Sequence, residues 1–208
     1  MPPPARSAGV VDDIRPRLDH ETRQQQISQA CARLIARRGY AATSMRDVAA
    51  EVGISTGTLM HHIQSKADLL TATLLGVADE VMERIQDAMA QSTDPIEQLR
   101  LVVRALLGEA EAVDICWRVW LAFWHEAAID PALASVASDM TVRSEQMLAQ
   151  LIRSGIEAGK LRCEDPDERA SELAALIDGV AIRVYGETGR WSHERAIGLV
   201  EQVIDSWQ

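Results

Sequence analysis

An all-α fold follows from three observations on this 208-residue chain. Apolar residues recur at three- and four-residue intervals along most of its length, and the alternation of β-branched residues that marks strands is absent. Ser44 and Ser65 each stand three positions before an acid (Asp47, Asp68), a variant of the capping box. Asp94-Pro95, Asp130-Pro131 and Asp165-Pro166 each place a capping carboxylate before a proline at the first helical position, where its missing N–H costs nothing.

These signals predict about nine helices. The first, over 21–38, stops at Gly39; the second, 44–51, runs from the Ser44 box to Gly53; the third, 55–62, is capped by Ser55. The fourth, 66–91, starts after Ser65, and the fifth, 95–111, starts after Asp94 with Glu97 near the positive end of its dipole. Periodicity places the sixth over 114–128. The seventh, 131–158, ends at Gly159, and the eighth, 166–186, has Glu168 in its first turn and a stop at Gly189. The ninth covers 193–206. Residues 1–18 hold four prolines without periodicity and read as a disordered arm. The expected organisation is therefore an arm (1–18), an N-terminal three-helix unit (19–65) and a C-terminal helical bundle (66–208).

Composition narrows the class. At 47% apolar, 25% charged and 4% aromatic, the chain suits one or two globular domains with a sizeable core. Cys31, Cys116 and Cys163 are far apart, and no Cys-x-x-Cys or Cys/His cluster appears, so neither a disulfide scaffold nor a metal site is expected. Cys31 and Cys116 lie in apolar helical settings and read as core residues. No apolar run reaches the roughly 18 residues that span a bilayer, and Met1 to Leu18 lacks the apolar centre of a secretory signal. A cytoplasmic protein without membrane or cofactor is the expectation. The net charge of −10 is unevenly placed: residues 1–66 hold nine Lys/Arg against six acids, and the other 142 hold 12 against 25. A basic first third on an acidic body suggests that only the first part approaches a polyanion.

Residues 44–63 carry the functional signal. Two short helices joined by a turn at Gly53 suit a helix-turn-helix. Val48, Ala49 and Val52 share one face of the first helix, with Ala49 small enough for a close crossing, and Gly53 can adopt a positive φ. Ile54 plugs the angle, Ser55 caps the second helix, and Leu59 and Ile63 face inward. That leaves Thr56, Gly57, Thr58, Met60, His61 and His62 outward, a small hydrogen-bonding surface at a helix N-terminus of the kind that reads a major groove. Ser44, Arg46, Ser65 and Lys66 can meet phosphates, and Arg46 could instead reach a guanine. The plainer alternative is a tight helical hairpin in a bundle. Neighbouring His61 and His62 point about 100° apart on a helix, so they do not chelate one metal ion easily.

These residues give the chain a family likeness. Ile27-x-x-Ala30, Gly39-Tyr40-Ala41-Ala42-Thr43-Ser44, Val48-Ala49, Gly53-Ile54-Ser55, Gly57-Thr58-Leu59 and Ser65-Lys66-x-x-Leu69-Leu70 resemble the DNA-binding domain of TetR-type (tetracycline-repressor-like) transcriptional regulators over residues 21–70. Met60 and Ile63 depart from the family's usual Tyr and Phe. Loss of the Tyr hydroxyl shifts the expected phosphate grip to His61 or His62, whereas Ile63 still fills a core position. The stretch from Ser55 to Gln64 is similar to the subgroup that controls choline and glycine-betaine synthesis. The resemblance implies a C-terminal domain that dimerises and holds a small-molecule pocket.

In that body, Leu173, Leu176, Ile177, Val180 and Val184, followed by Ile197, Val200, Val203, Ile204 and Trp207, form apolar stripes. They suit the four-helix dimer interface the resemblance implies, or plain intrachain core. Trp117, Trp120, Phe123 and Trp124 crowd into one helix, either as dense core or as a pocket wall able to hold a quaternary ammonium group by cation–π attraction. Tyr185 is a further aromatic candidate. Glu126 and Asp178 are candidate acids opposite, and Asp178 interrupts an apolar stretch, so it needs a partner such as Arg183, a water or a cationic ligand. His125-Glu126 has no accompanying nucleophile and reads as a polar pair facing solvent. The expected function is a homodimeric repressor that places its third helix in successive major grooves of double-stranded DNA, about 34–36 Å apart, and is released by a small molecule. Arg23, Arg46 and Lys66 would supply salt-dependent phosphate affinity, and the fourth helix would act as the lever. The alternative is a helical adaptor, carrier or enzyme with a structural N-terminal unit, for which no catalytic constellation is visible.

Overall fold

The structure is a computed structural model that describes the backbone of residues 14–186 and 191–208, and side chains from residue 22 onward. Its elements are α1 (Ile14–Arg38), α2 (Met45–Val52), α3 (Thr56–His62), α4 (Lys66–Met89), α5 (Pro95–Leu107), α6 (Glu111–Ala127), α7 (Pro131–Glu157), α8 (Pro166–Ala181) continued by a π turn (Ile182–Gly186), and α9 (His193–Asp205). No strand occurs among the described residues.

The caps work as the chain's local chemistry requires. Ser44, Ser55 and Ser65 each accept a backbone N–H three residues on, from Asp47, Thr58 and Asp68. Asp94, Asp130 and Asp165 each accept the N–H two residues on, across their prolines. Several boundaries differ from the sequence reading, among them the start of α6 at Glu111 rather than 114 and the end of α8 at Ala181 rather than 186. α1 starts at Ile14, so residues 14–18 of the expected arm are helical. Pro16 falls in its first turn, where no intrahelical N–H is needed. The remainder of that arm, and Gly189, lie outside the described residues. α5 ends at Leu107 rather than 111 because Gly108 leaves the helix, and a side chain there would press on Arg104 O at 2.4 Å.

Two apolar cores form. The N-terminal one joins Ile27 and Cys31 of α1, Val48 of α2, Leu59 of α3 and Leu70 of α4, and it also takes in Val119 and Phe123 of α6. The second joins α5 to α9 around Leu99, Val102, Ile152, Leu173 and Val200. α4 serves both, through Leu69, Leu70, Leu74 and Val77 in the first and Val81 and Ile85 in the second. Against α4 lies α1 at unusually close range: Ser28 Oγ donates to Ala72 O at 2.7 Å, and a Cβ on Gly76 would stand 2.5 Å from Ser28 Oγ. The α8 and α9 stripes are largely spent inside the chain, since Leu173, Ile177, Val180, Val200, Ile204 and Trp207 are buried. Besides its charged residues, α8 turns Ala175 and Gly179 outward, and the π turn that follows exposes Ile182.

Candidate nucleic-acid interface and ligand cavity

The turn between α2 and α3 is set by backbone geometry. Gly53 has φ +76°, a left-handed conformation that a side chain disfavours, and the N–H of Ile54 returns to Ala49 O at 2.9 Å to close α2. Leu59 and Ile63 are buried and seat α3 on the N-terminal core, which settles the orientation of every other residue on that short helix. Thr56, Gly57, Thr58, Met60 and His61 are exposed, and His62 is half-buried. Met60 leaves 55% of its surface open, a cost in water with no compensation inside the chain. Gly57 is equally unexplained from within, because a Cβ there would meet only Ser55 Oγ, at an ordinary 3.7 Å.

Ser55 Oγ caps α3 by accepting Thr58 N–H at 3.0 Å and lies 2.8 Å from Thr58 Oγ1, so the Thr58 hydroxyl is held at the helix N-terminus. Ser44 is tied into a reciprocal box with Asp47. Hydrogen bonds from the Ser44 side chain and then its backbone N–H hold the Asp47 carboxyl below its usual range, with Arg38 adding to the effect at 2.8 Å. Arg46 is exposed at the start of α2. Lys66, at the start of α4, is half-buried: its Nζ sits 4.3 Å over the Tyr40 ring and 3.4 Å from Ala41 O. Tyr40, part of the family-like motif, was given no role in the site by the sequence reading. Its hydroxyl donates to Lys66 O at 3.3 Å, so it ties the end of α1 to the start of α4.

Behind this unit lies a cavity of about 300 Å³ between α4, α6, α7 and α8. Of the pocket candidates, Trp117, Trp120 and Asp178 line it; Trp124 and Tyr185 do not. Trp124 leans on Trp120 instead, with centroids 5.4 Å apart, and Tyr185 stacks on Trp117 at 6.0 Å. Trp124 shares the face of Trp117 and Trp120 but stands about one turn further along α6, past the lining, and the π turn carries Tyr185 behind the wall. Glu126 is likewise absent from the lining. Cys116, expected in the core, faces the cavity, where burial and then the Glu80 carboxylate push its thiol up to about 12. It stays protonated and inert.

Asp178 is the notable polar group. Burial, with the Glu145 carboxylate a lesser cause, pushes it up to about 7, so it is half-charged near neutrality and gains from a cation that enters. Residues from α4 (Leu75, Asp79, Met82) and α7 (Thr141, Arg143, Ser144) complete the wall and were not foreseen. The α4 set repeats at helical spacing, but nothing local tells a cavity-facing stripe from a core-facing one. Leu74 belongs both to this lining and to the N-terminal core, so one side chain touches both compartments.

Residues 27–73 match the family described as bacterial regulatory proteins, tetR family, and residues 95–207 match BetI-type transcriptional repressor, C-terminal. The HTH-type transcriptional regulator BetI of Burkholderia cenocepacia is 31% identical over 186 residues, 89% of this chain and 93% of that protein. The HTH-type transcriptional regulator PksA of Bacillus subtilis is 29% identical over 91% of each chain. A transcriptional regulator of Saccharomonospora viridis, solved in complex with choline, superposes with a TM-score of 0.80 at 31% identity, over 88% of this chain and 95% of that one.

Proposed function

The chain belongs to the TetR family of bacterial transcriptional regulators, with a BetI-type C-terminal domain, and from this premise we propose that it acts as a homodimeric repressor released by a small organic cation. The observation that carries the DNA-binding half is the N-terminal face of α3. It offers Thr56, Gly57, Thr58, Met60 and His61 to solvent on a helix too short to be placed by anything but its buried Leu59 and Ile63. Groove entry would cover Met60 and make use of a glycine that no intrachain contact requires. Arg46 and Lys66 flank the face and meet phosphates; Thr58 presents a methyl and a hydroxyl to base edges. A second copy supplies the second helix, because one such helix makes too few contacts for operator specificity.

The cavity supports the release half. Its walls are mostly apolar, two indoles line it, and Asp178 supplies the carboxylate that a cation would draw into its charged form. The related regulator bound to choline favours a quaternary ammonium compound of that size. Occupation bears on α4 and α6, which also pack into the N-terminal core, and so alters the spacing of the two α3 helices. DNA must then weaken effector binding by the same factor. Fluorescence anisotropy with a labelled duplex from the chain's own upstream region tests both halves. Binding should fall steeply with salt and be reversed by choline; a chain that ignores this duplex in dilute buffer would overturn the reading.

A further inference from the structure

The end of α5 gathers three aromatic side chains from three different elements. The last carbonyls of a helix lack intrahelical donors and must find others. Here Trp117 Nε1 of α6 donates to Leu106 O at 2.7 Å, and Nδ1 of His193, the first residue of α9, lies 2.8 Å from Leu107 O. The Tyr185 hydroxyl, in the π turn, donates to Gly108 O at 3.4 Å. Three successive carbonyls are thus met in turn by an indole, an imidazole and a phenol.

The three rings also hold one another. Tyr185 lies nearly parallel to Trp117, with centroids 6.0 Å apart and planes 14° from parallel. His193 meets Tyr185 edge-on at 5.5 Å, and its Nδ1 is 3.4 Å from the Tyr185 hydroxyl. Trp117 and Tyr185 are both buried, yet only Trp117 reaches the cavity. The π turn that delivers Tyr185 is the one such turn among the described residues, and π turns concentrate where a helix is bent to a task.

We propose that Tyr185 and His193 are positioning residues that lock the Trp117 indole as a rigid wall of the effector cavity. The proposal rests on the reading of that cavity as the effector site and adds what prepares it. An indole pinned at its N–H and braced on one face has few rotamers left to lose when a ligand arrives. A loose one would have to be ordered at the moment of binding, which costs about threefold to tenfold in affinity. Tyr185 therefore shapes binding without touching the ligand.

The test uses full-length protein labelled with ¹⁵N-tryptophan, whose five indole N–H signals are resolved by NMR and assigned at position 117 by Trp117→Phe. Tyr185→Leu removes the braced face and should speed exchange of the Trp117 indole proton by about tenfold or more, leaving the other four unchanged. Tyr185→Phe keeps the ring and should restore slow exchange to within about twofold, and His193→Ala should fall between them. An unaltered Trp117 signal in Tyr185→Leu overturns the proposal. So does acceleration of all five together, which would report general loosening. Choline titration by calorimetry is the second arm. Tyr185→Leu should weaken binding about threefold to tenfold in the native background and have no further effect beside Trp117→Phe; an undiminished penalty there refutes the coupling. If choline does not bind the native protein at all, the cation reading of the cavity falls. The exchange arm, which needs no ligand, still decides whether Tyr185 and His193 hold Trp117.

Discussion

Replacing Gly57 with alanine separates folding from DNA binding, because the two should move in opposite directions. Gly57 is the second residue of α3, its backbone is helical, and an added Cβ meets only Ser55 Oγ at 3.7 Å. Nothing in the folded chain resists the methyl group, and the unfolded chain loses freedom. The substitution should therefore stabilise the protein by about 0.4–1 kcal/mol. For a chain of this length that raises the melting temperature by about 1–4 °C. On DNA the same methyl projects from the end of the helix that enters the groove. Forcing one extra carbon into a packed contact costs about 1–3 kcal/mol, and a dimer inserts two such helices. Even the lower figure, counted twice, weakens the operator complex by about 30-fold. Thermal melts by circular dichroism and anisotropy titrations on one preparation measure both effects. A Gly57→Ala protein that melts no lower than the native chain and binds DNA as tightly would show that the α3 N-terminus does not approach the duplex, and the assignment of this face would be wrong.

Other perturbations bear on separate steps. Lys66→Ala should weaken all duplexes alike and lower the salt slope by about one phosphate contact, whereas Thr58→Ala should act on the specific operator only; mobility shifts on operator and random DNA tell them apart. Gly53→Ala forces a side chain into φ +76° and should cost about 1 kcal/mol or more in denaturant unfolding, the reverse of the effect at position 57. Effector binding should depend on pH through Asp178. Its carboxyl is raised to about 7, so the charged form that attracts a cation is scarce below that value and complete above it. Affinity for choline, measured without DNA, should rise about tenfold from pH 6 to pH 8 and then level off. Asp178→Asn should flatten that profile.

How much of this was legible beforehand differs from region to region. The capping serines, the three Asp-Pro starts and the Gly53 turn are visible in a few consecutive residues because each acts on the backbone N–H or C=O groups next to it. The α3 face was visible for a related reason: once Leu59 and Ile63 are inward, a helix leaves the other side chains no choice of direction. The start of α1 was not visible, since Pro16 reads as a breaker until its place in the first turn is known.

The sequence by itself therefore determined most of the helices, their caps, the helix-turn-helix and the outward face of α3. Tertiary structure alone decided which apolar stripes became core and which became cavity. It buried most of the α8 and α9 stripes within the chain, turned Trp117 and Trp120 but not Trp124 toward an empty space, and placed Tyr185 behind that wall. It also joined Leu75 and Met82 to Arg143 and Ser144 across more than fifty residues of chain. The physical reason is range: capping and turn chemistry act between neighbours in sequence, while a cavity is the space that helices leave when they pack, and no short stretch of residues encodes that by itself.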